Sequence, residues 1–271
     1  MAAGMHMHIG LSELRELTDD PIGLARLKAS LGQQPVVSIG LQILPQPAEV
    51  AALARHFGEP LPYPTDRMRT APGFPIIGDF SAAGLPEDGR PRVATLNERL
   101  HVDVMDAGLA AYGLLHARSV PEAAVMRFVD MRAVYAGLPA SLKATLARCS
   151  ARHYPRATEQ RPKPSGTLLP LVALHPSTRA SVLILPNARD SRVEGLPEAE
   201  GRALIAELWA AVEDSPHRFQ SVLRSNEIWL WDNVATVHDN PAFPRHLDRV
   251  VWFLNIPGEG KLAAASSCIQ A

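Results

Sequence analysis

Cysteine is nearly absent from this chain: there are two in 271 residues, Cys149 and Cys268. They stand too far apart in sequence to build a cysteine-rich metal site, and a chain of this length buries enough surface to do without disulfides. An excess of charge of either sign is also missing. Lys and Arg number 27 against 28 Asp and Glu, for a formal net charge of -1. Such a surface has no attracting field for nucleic acid or for an anionic membrane, so neither is expected as a partner. No run of 18 or more apolar residues occurs, which excludes a membrane-spanning helix. The first residues, MAAGMHMHIG, lack a charged stretch followed by a long apolar one, so no secretory signal is expected. Together these absences describe a cytoplasmic protein. Homo-oligomer formation is left open.

Proline, by contrast, is plentiful. Its 24 copies imply rigid loops and interrupted strands and weigh against a helical bundle. Helical spacing is expected over 11–17, 22–31, 47–57, 130–137, 140–148 and most clearly 197–213. Strands are expected over 36–41, 95–104, 109–117, 125–129, 168–174, 181–185, 219–223 and 228–231. The segment 60–91 is rich in Pro, Gly and Asp and reads as a long surface excursion, interrupted at Phe74 to Ile77, and as a candidate lid. The whole of 1–271 is read as one domain, mainly β with helical decoration, an antiparallel jelly roll.

The chemistry gathers at two places. From Glu227 the chain reads EIWLWDNVATVHDNPAFPRHLDRVVWFLN. The apolar run 228–231 is a buried strand, Asp232 and Asn233 break it as turn residues, and His238 follows in a short second element. Far upstream stands His101-Val102-Asp103. On a strand, residues two apart point to one side, so His101 and Asp103 can offer an imidazole and a carboxylate to one point. His238 would close a three-point face. Two His and one carboxylate with open positions beyond them are the ligand set of non-haem Fe(II) oxygenases.

HxD at 101–103, WDN at 231–233, His238, and Arg249 eleven residues later form an ordered set. It resembles the taurine dioxygenase/TfdA (TauD/TfdA-like) family of Fe(II)- and 2-oxoglutarate-dependent dioxygenases. VVSIGLQILPQPAEVAALARHFGEP from Val36, MRAVYAGLP from Met131 and LVALHPSTRASVLIL from Leu171 extend the resemblance over most of the chain. It implies a double-stranded β-helix and an oxidoreductase, a hydroxylase or related C–H oxidant acting on a small molecule. The cosubstrates would be 2-oxoglutarate and O2, with succinate and CO2 released. The implied metal ligands are His101, Asp103 and His238. Arg249 is at the family's position for the distal carboxylate of 2-oxoglutarate, which suits a planar guanidinium. Asn97 is a candidate substrate residue. Asp103 at the carboxylate position disfavours halogenation.

The chain departs from the family in places. Where the family carries a Gly-Gly-Asp-Thr run, this chain has Ala123-Ala124-Val125-Met126, and Met126 replaces a Thr that helps hold 2-oxoglutarate. Phe253 stands where the taurine enzyme has an Arg for the sulfonate, so taurine is a poor substrate candidate. The alternative reading is a non-catalytic jelly roll that binds metal or ligand and has lost its grip on the cofactor. Trp229 and Trp231 are read as core, His175 as a turn residue, and His6 and His8 as part of a flexible end.

Overall fold

The structure is a computed structural model. It describes residues 5–63, 69–80, 99–105, 108–120, 125–154, 166–187, 192–239, 249–258 and 262–265. Within these the strands are β1 (His6–Leu11), β2 (Val36–Leu41), β3 (Thr70–Ala71), β4 (Phe74–Asp79), β5 (Val104–Met105), β6 (Gly108–Ser119), β7 (Val125–Asp130), β8 (Ser150–His153) and β9 (Thr167–Pro170). They continue with β10 (Val172–Leu174), β11 (Ser181–Leu183), β12 (Val193–Glu194), β13 (Arg218–Val222), β14 (Glu227–Asp232), β15 (Thr236–Asp239), β16 (Val250–Pro257) and β17 (Ala263–Ala264). The helices are α1 (Arg15–Thr18), α2 (Pro21–Gln33), α3 (Pro47–Arg55), α4 (Met131–Gly137), α5 (Ala140–Leu146) and α6 (Glu198–Glu213).

One large sheet runs β1-β2-β14-β6-β16-β4-β3, with β5 hairpinned onto β6. All its pairings are antiparallel except β1 with β2. A smaller antiparallel sheet, β13-β7-β15, faces it. The strict alternation of side chains in a strand divides the central strands between two cores. Leu114, Ile228, Leu230, Trp252 and Leu254 pack under α1 to α3 on the outer side. Leu115, Trp229, Trp231, Val251 and Phe253 point inward and meet Met126 and Phe128 of β7. A third core, under α4 and α6, covers the far side of the smaller sheets. This is the sandwich of a jelly roll with helices outside it.

The helices start where local chemistry allows. Asp20 accepts the Ile22 N–H at 3.0 Å and Pro21 opens α2. Gln46 and Glu49 form a reciprocal cap on α3. Asp130 accepts the Arg132 N–H at 2.9 Å to start α4, and Arg132 reaches back to the Gly32 carbonyl, tying α4 to the end of α2.

Three expectations change. His6–Leu11 is a strand paired with β2 rather than a flexible tail or the start of a helix. The helix expected over 11–17 shrinks to Arg15–Thr18. The middle of the 60–91 segment belongs to the large sheet as β3 and β4, because Gly78 and Asp79 pair with Phe253 and Trp252. Residues 64–68 and 81–91 of the candidate lid lie outside the described residues.

Candidate metal centre and active site

The turn between β14 and β15 delivers His238. Asp232 ends β14 and its Oδ1 accepts the N–H groups of Val234 and Ala235, each at 3.0 Å. Its Oδ2 meets His175 Nε2 at 2.7 Å, and the Thr236 hydroxyl donates to the Asp232 carbonyl at 2.7 Å. The chain therefore reverses tightly, and β15 carries His238 inward. There its ring lies 4.6 Å from that of Trp231 and 6.0 Å from that of Phe128.

His101 is brought alongside by the backbone. Its N–H donates to the His238 carbonyl at 2.8 Å, and the His238 N–H returns to the His101 carbonyl at 3.0 Å. The segment is not the regular strand expected over 95–104. Within its described part, His101 makes one isolated bridge and only Val104 enters a strand. The two side chains converge nonetheless, because the segment is pinned from outside. Asn233 accepts the Asp103 N–H and donates to the Asp103 carbonyl, both at 3.0 Å, and donates to the Ala110 carbonyl at 2.8 Å. Asn187 accepts the Val102 N–H at 3.2 Å.

His101 Nδ1 lies 2.9 Å from the Arg99 carbonyl, which can only accept, so the ring proton sits on Nδ1 and the Nε2 lone pair faces inward. Nε2 is 3.8 Å from Asp103 Oδ1, and His238 Nε2 is 3.5 Å from Asp103 Oδ2. One ligand atom from each of the three lies within 4.8 Å of the others. Asp103 Oδ2 and both His238 nitrogens are buried with no hydrogen-bond partner. Burial raises the Asp103 pKa, an effect that His101 opposes, and burial, aided by His101, holds that of His238 well below its usual range. A buried carboxylate and two imidazoles that converge without a hydrogen bond between them are left uncompensated unless a cation sits among them. Ligands about 2.1 Å from a metal and at right angles stand roughly 3 Å apart, so a small inward shift would complete the set.

Arg249 stands at the entry to β16, half-buried, with its Nε donating to the Phe80 carbonyl at 3.3 Å. Burial lowers its pKa. Asn97 lies outside the described residues, as does Arg245, the other arginine near Arg249 in sequence but four residues short of the family's spacing. Met126 is fully buried among Phe128, Trp231 and Phe253, and brings no hydroxyl to that core. Trp229 and Trp231 are core residues as expected, but Trp231 Nε1 is a buried donor without a partner. Its indole lies flat on Gly113 of β6, where a Cβ would fall 2.2 Å from the ring. His175 is structural, through Asp232. His6 and His8 both reach the Ser38 hydroxyl at 2.8 Å, and burial draws His6 down to about 4. A cleft of about 490 Å³ opens beside His8, Glu16 and Arg224, and no member of the triad lines it.

Sequence reading missed three supports. Asn233 was in view, but only as a turn residue. Asn187 acts across 85 residues and has no local signature. Arg127 pairs with Asp239, the residue after His238, through its side chain and its N–H at 2.9 Å.

A sequence profile described as "Taurine catabolism dioxygenase TauD, TfdA family" matches residues 5–254. The chain belongs to this family and is an oxidoreductase of the dioxygenase class. It is 28% identical over 252 residues to the alpha-ketoglutarate-dependent 2,4-dichlorophenoxyacetate dioxygenase of Cupriavidus pinatubonensis, spanning 85% of this chain and 83% of that protein. It is 28% identical over 153 residues to the (S)-phenoxypropionate/alpha-ketoglutarate-dioxygenase of Sphingobium herbicidovorans, across 49% of this chain and 52% of that one. A taurine dioxygenase structure from Burkholderia xenovorans superposes with a TM-score of 0.76 at 23% identity, over 95% of this chain and 89% of its own. AAD-2, solved with Mn(II) and N-oxalylglycine, gives 0.77 at 19%, over 96% of each chain. These two matches establish the jelly-roll fold.

Proposed function

We propose that the protein is an Fe(II)- and 2-oxoglutarate-dependent oxygenase that oxidises an unactivated C–H bond of a small molecule. His101, Asp103 and His238 hold the iron, and Arg249 holds the distal carboxylate of 2-oxoglutarate. The observation that supports this reading is the convergence of buried, unpartnered polar atoms of Asp103 and His238, with His101 Nε2 beside them. Two imidazoles and one carboxylate suit a divalent first-row metal, and the relatives' dependence on alpha-ketoglutarate supports iron among these. Bound Fe(II), with 2-oxoglutarate and O2, supplies the oxidising power, and the keto acid leaves as succinate and CO2.

The chain's own residues supply position and dryness. The carbonyl of Arg99 fixes the His101 tautomer, Asn233 fixes the Asp103 backbone, and Trp231 and Phe128 exclude water beside His238. Arg249 offers a planar fork that a lysine cannot reproduce. A small-molecule substrate and a cytoplasmic setting complete the proposal.

The test is an anaerobic titration of the metal-free protein with Fe(II) and then 2-oxoglutarate, watching for the weak visible band of the chelated keto acid. The band should appear in the wild type and require several-fold more 2-oxoglutarate in Arg249→Lys. A wild-type protein that binds Fe(II) yet never develops the band would favour the non-catalytic reading, which the apolar Met126 supports.

A further inference from the structure

Two tryptophans stand between the proposed metal centre and the edge of the fold. Trp231 and Trp229 are two residues apart on β14, so they point to one side, roughly 7 Å apart along the strand. The Trp231 ring lies 4.6 Å from that of His238. Phe128 packs against both indoles, 5.7 Å from Trp231 and 6.1 Å from Trp229, and is within 4° of parallel to the second. His6 and Phe219, both half-buried, stack on Trp229 in turn at 5.2 and 6.1 Å. The rings form a dense medium with no break from His238 to partly exposed residues. Tryptophan is the readily oxidised member of this set, and electron tunnelling favours short steps between such rings.

The two indoles differ in where the N–H points. Trp229 Nε1 donates to Glu227 Oε2 at 3.0 Å. Trp231 Nε1 is buried and has no acceptor among the described residues. An indole that has lost an electron is a far stronger acid than its parent. At Trp229 the proton can pass along the existing hydrogen bond to the Glu227 carboxylate, which leaves a neutral radical. At Trp231 the proton has no acceptor, and a cation confined to an apolar core is costly. A vacancy created on Trp231 therefore runs downhill to Trp229. Glu227 is fixed for this task by the Arg224 N–H, which donates to Oε2 at 3.1 Å. The same residue lines the cleft beside His8 and Arg224, which gives the proton a way to solvent.

We infer that Trp231 and Trp229 form an electron relay from the metal centre to the surface, with Glu227 as its proton acceptor. This rests on the oxygenase reading and adds a protective activity to it. A turnover of 2-oxoglutarate and O2 with no substrate in place yields succinate and CO2 and leaves two oxidising equivalents unspent. For each, Trp231 gives an electron inward and regains it from Trp229. Trp229 passes its N–H proton to Glu227, then recovers an electron from an external one-electron donor and the proton from Glu227. Two such electrons with two solvent protons release the remaining oxygen atom as water, and the protein is spared its insertion.

The experiment uses the iron-loaded protein with 2-oxoglutarate and no substrate, mixed with O2 and freeze-quenched for electron paramagnetic resonance. The wild type should show a tryptophan radical, identified by its narrowing when the tryptophans are ring-deuterated. Its spectrum should be the same in D2O, because the N–H proton has already left. The signal should fall severalfold in Trp229→Phe and in Glu227→Gln. Glu227→Gln keeps an oxygen that accepts from the indole but removes the base, which separates proton transfer from any packing fault in Trp229→Phe. With the dye ABTS as one-electron donor, the wild type should form two ABTS radicals per succinate and each variant severalfold fewer. In the variants, mass spectrometry should find the missing oxygen on the peptides that carry Phe128, Trp231 and His238. The inference is overturned if the wild type forms no tryptophan radical, if the spectrum changes in D2O, or if either variant matches the wild type in ABTS radicals per succinate. Failure of the underlying oxygenase reading looks different: no visible band with 2-oxoglutarate and no succinate from any variant, and the relay falls with it.

Discussion

Replacing Asn233 with alanine tests how the metal centre is assembled. The side chain is fully buried and makes three hydrogen bonds, two to the Asp103 backbone at 3.0 Å and one to the Ala110 carbonyl at 2.8 Å. At about 1 kcal/mol net for each, their loss accounts for roughly 3 kcal/mol. Leaving the buried Ala110 carbonyl unpaired there adds to this, for a total of roughly 3–5 kcal/mol. The functional effect is separable. Asp103 would keep its carboxylate but lose the clamp on its backbone, and loss of such supporting partners typically weakens metal affinity by about 10- to 100-fold. Urea unfolding of the metal-free protein measures the first quantity and calorimetric titration with Mn(II) the second. Asn187→Ala is the comparison, since it removes only two longer contacts to Val102, at 3.2 and 3.4 Å, and should be the milder change on both counts. The reasoning fails if Asn233→Ala loses less than about 1 kcal/mol and binds Mn(II) as tightly as the wild type.

Two further outcomes are expected. Asp103→Asn removes a buried carboxylate that has an unpartnered oxygen, so the metal-free variant should be at least as stable as the wild type, whereas a metal concentration of 100 times its Kd should stabilise only the wild type, by about 2.7 kcal/mol; thermal melts with and without Mn(II) decide this. His116 and His153 are buried and neutral, with burial as the main cause lowering them to about 3 and about 4, so between the ordinary value near 6.5 and those values the unfolded chain binds protons that the folded one does not. Stability is therefore lost as pH falls through that window, by about 2 kcal/mol for each at pH 5, and His116→Phe should show a correspondingly smaller difference between urea unfolding at pH 7 and pH 5.

What the sequence made legible follows from the range of the interactions. The run 109–117 is mostly apolar and central, and its strand could be read directly, although β6 extends beyond it to Gly108 and Ser119. His238 could be placed because Asp232 stops a buried strand by a local device, its own carboxylate capping the next two N–H groups. The pairing of His101 and Asp103 was also visible, although for a reason only partly right. Strand alternation suggested it, while the structure achieves it on an irregular segment through Asn233, 130 residues away. Bonds over such distances leave no local pattern. The same holds for His6–Leu11, whose composition suggests a loose end until β2 offers it a full row of partners. The strand Phe74–Asp79 was seen only as an interruption, since it is its pairing with β16 that makes it part of the sheet.

The indole of Trp231 resting on bare backbone at Gly113 has a consequence for how such a centre can diverge. One face of the ring is held by a strand in the middle of the large sheet, and His238 lies 4.6 Å from the ring's centre. A single methyl group at 113 would have to displace the indole, and among the rings it would press on is that of His238, a proposed metal ligand. Volume at a position outside the proposed triad would thereby be converted into a change in the angle at which His238 is presented. The sheet would thus act as a mechanical dial: reactivity could be adjusted from the scaffold while the three proposed ligands remain chemically untouched.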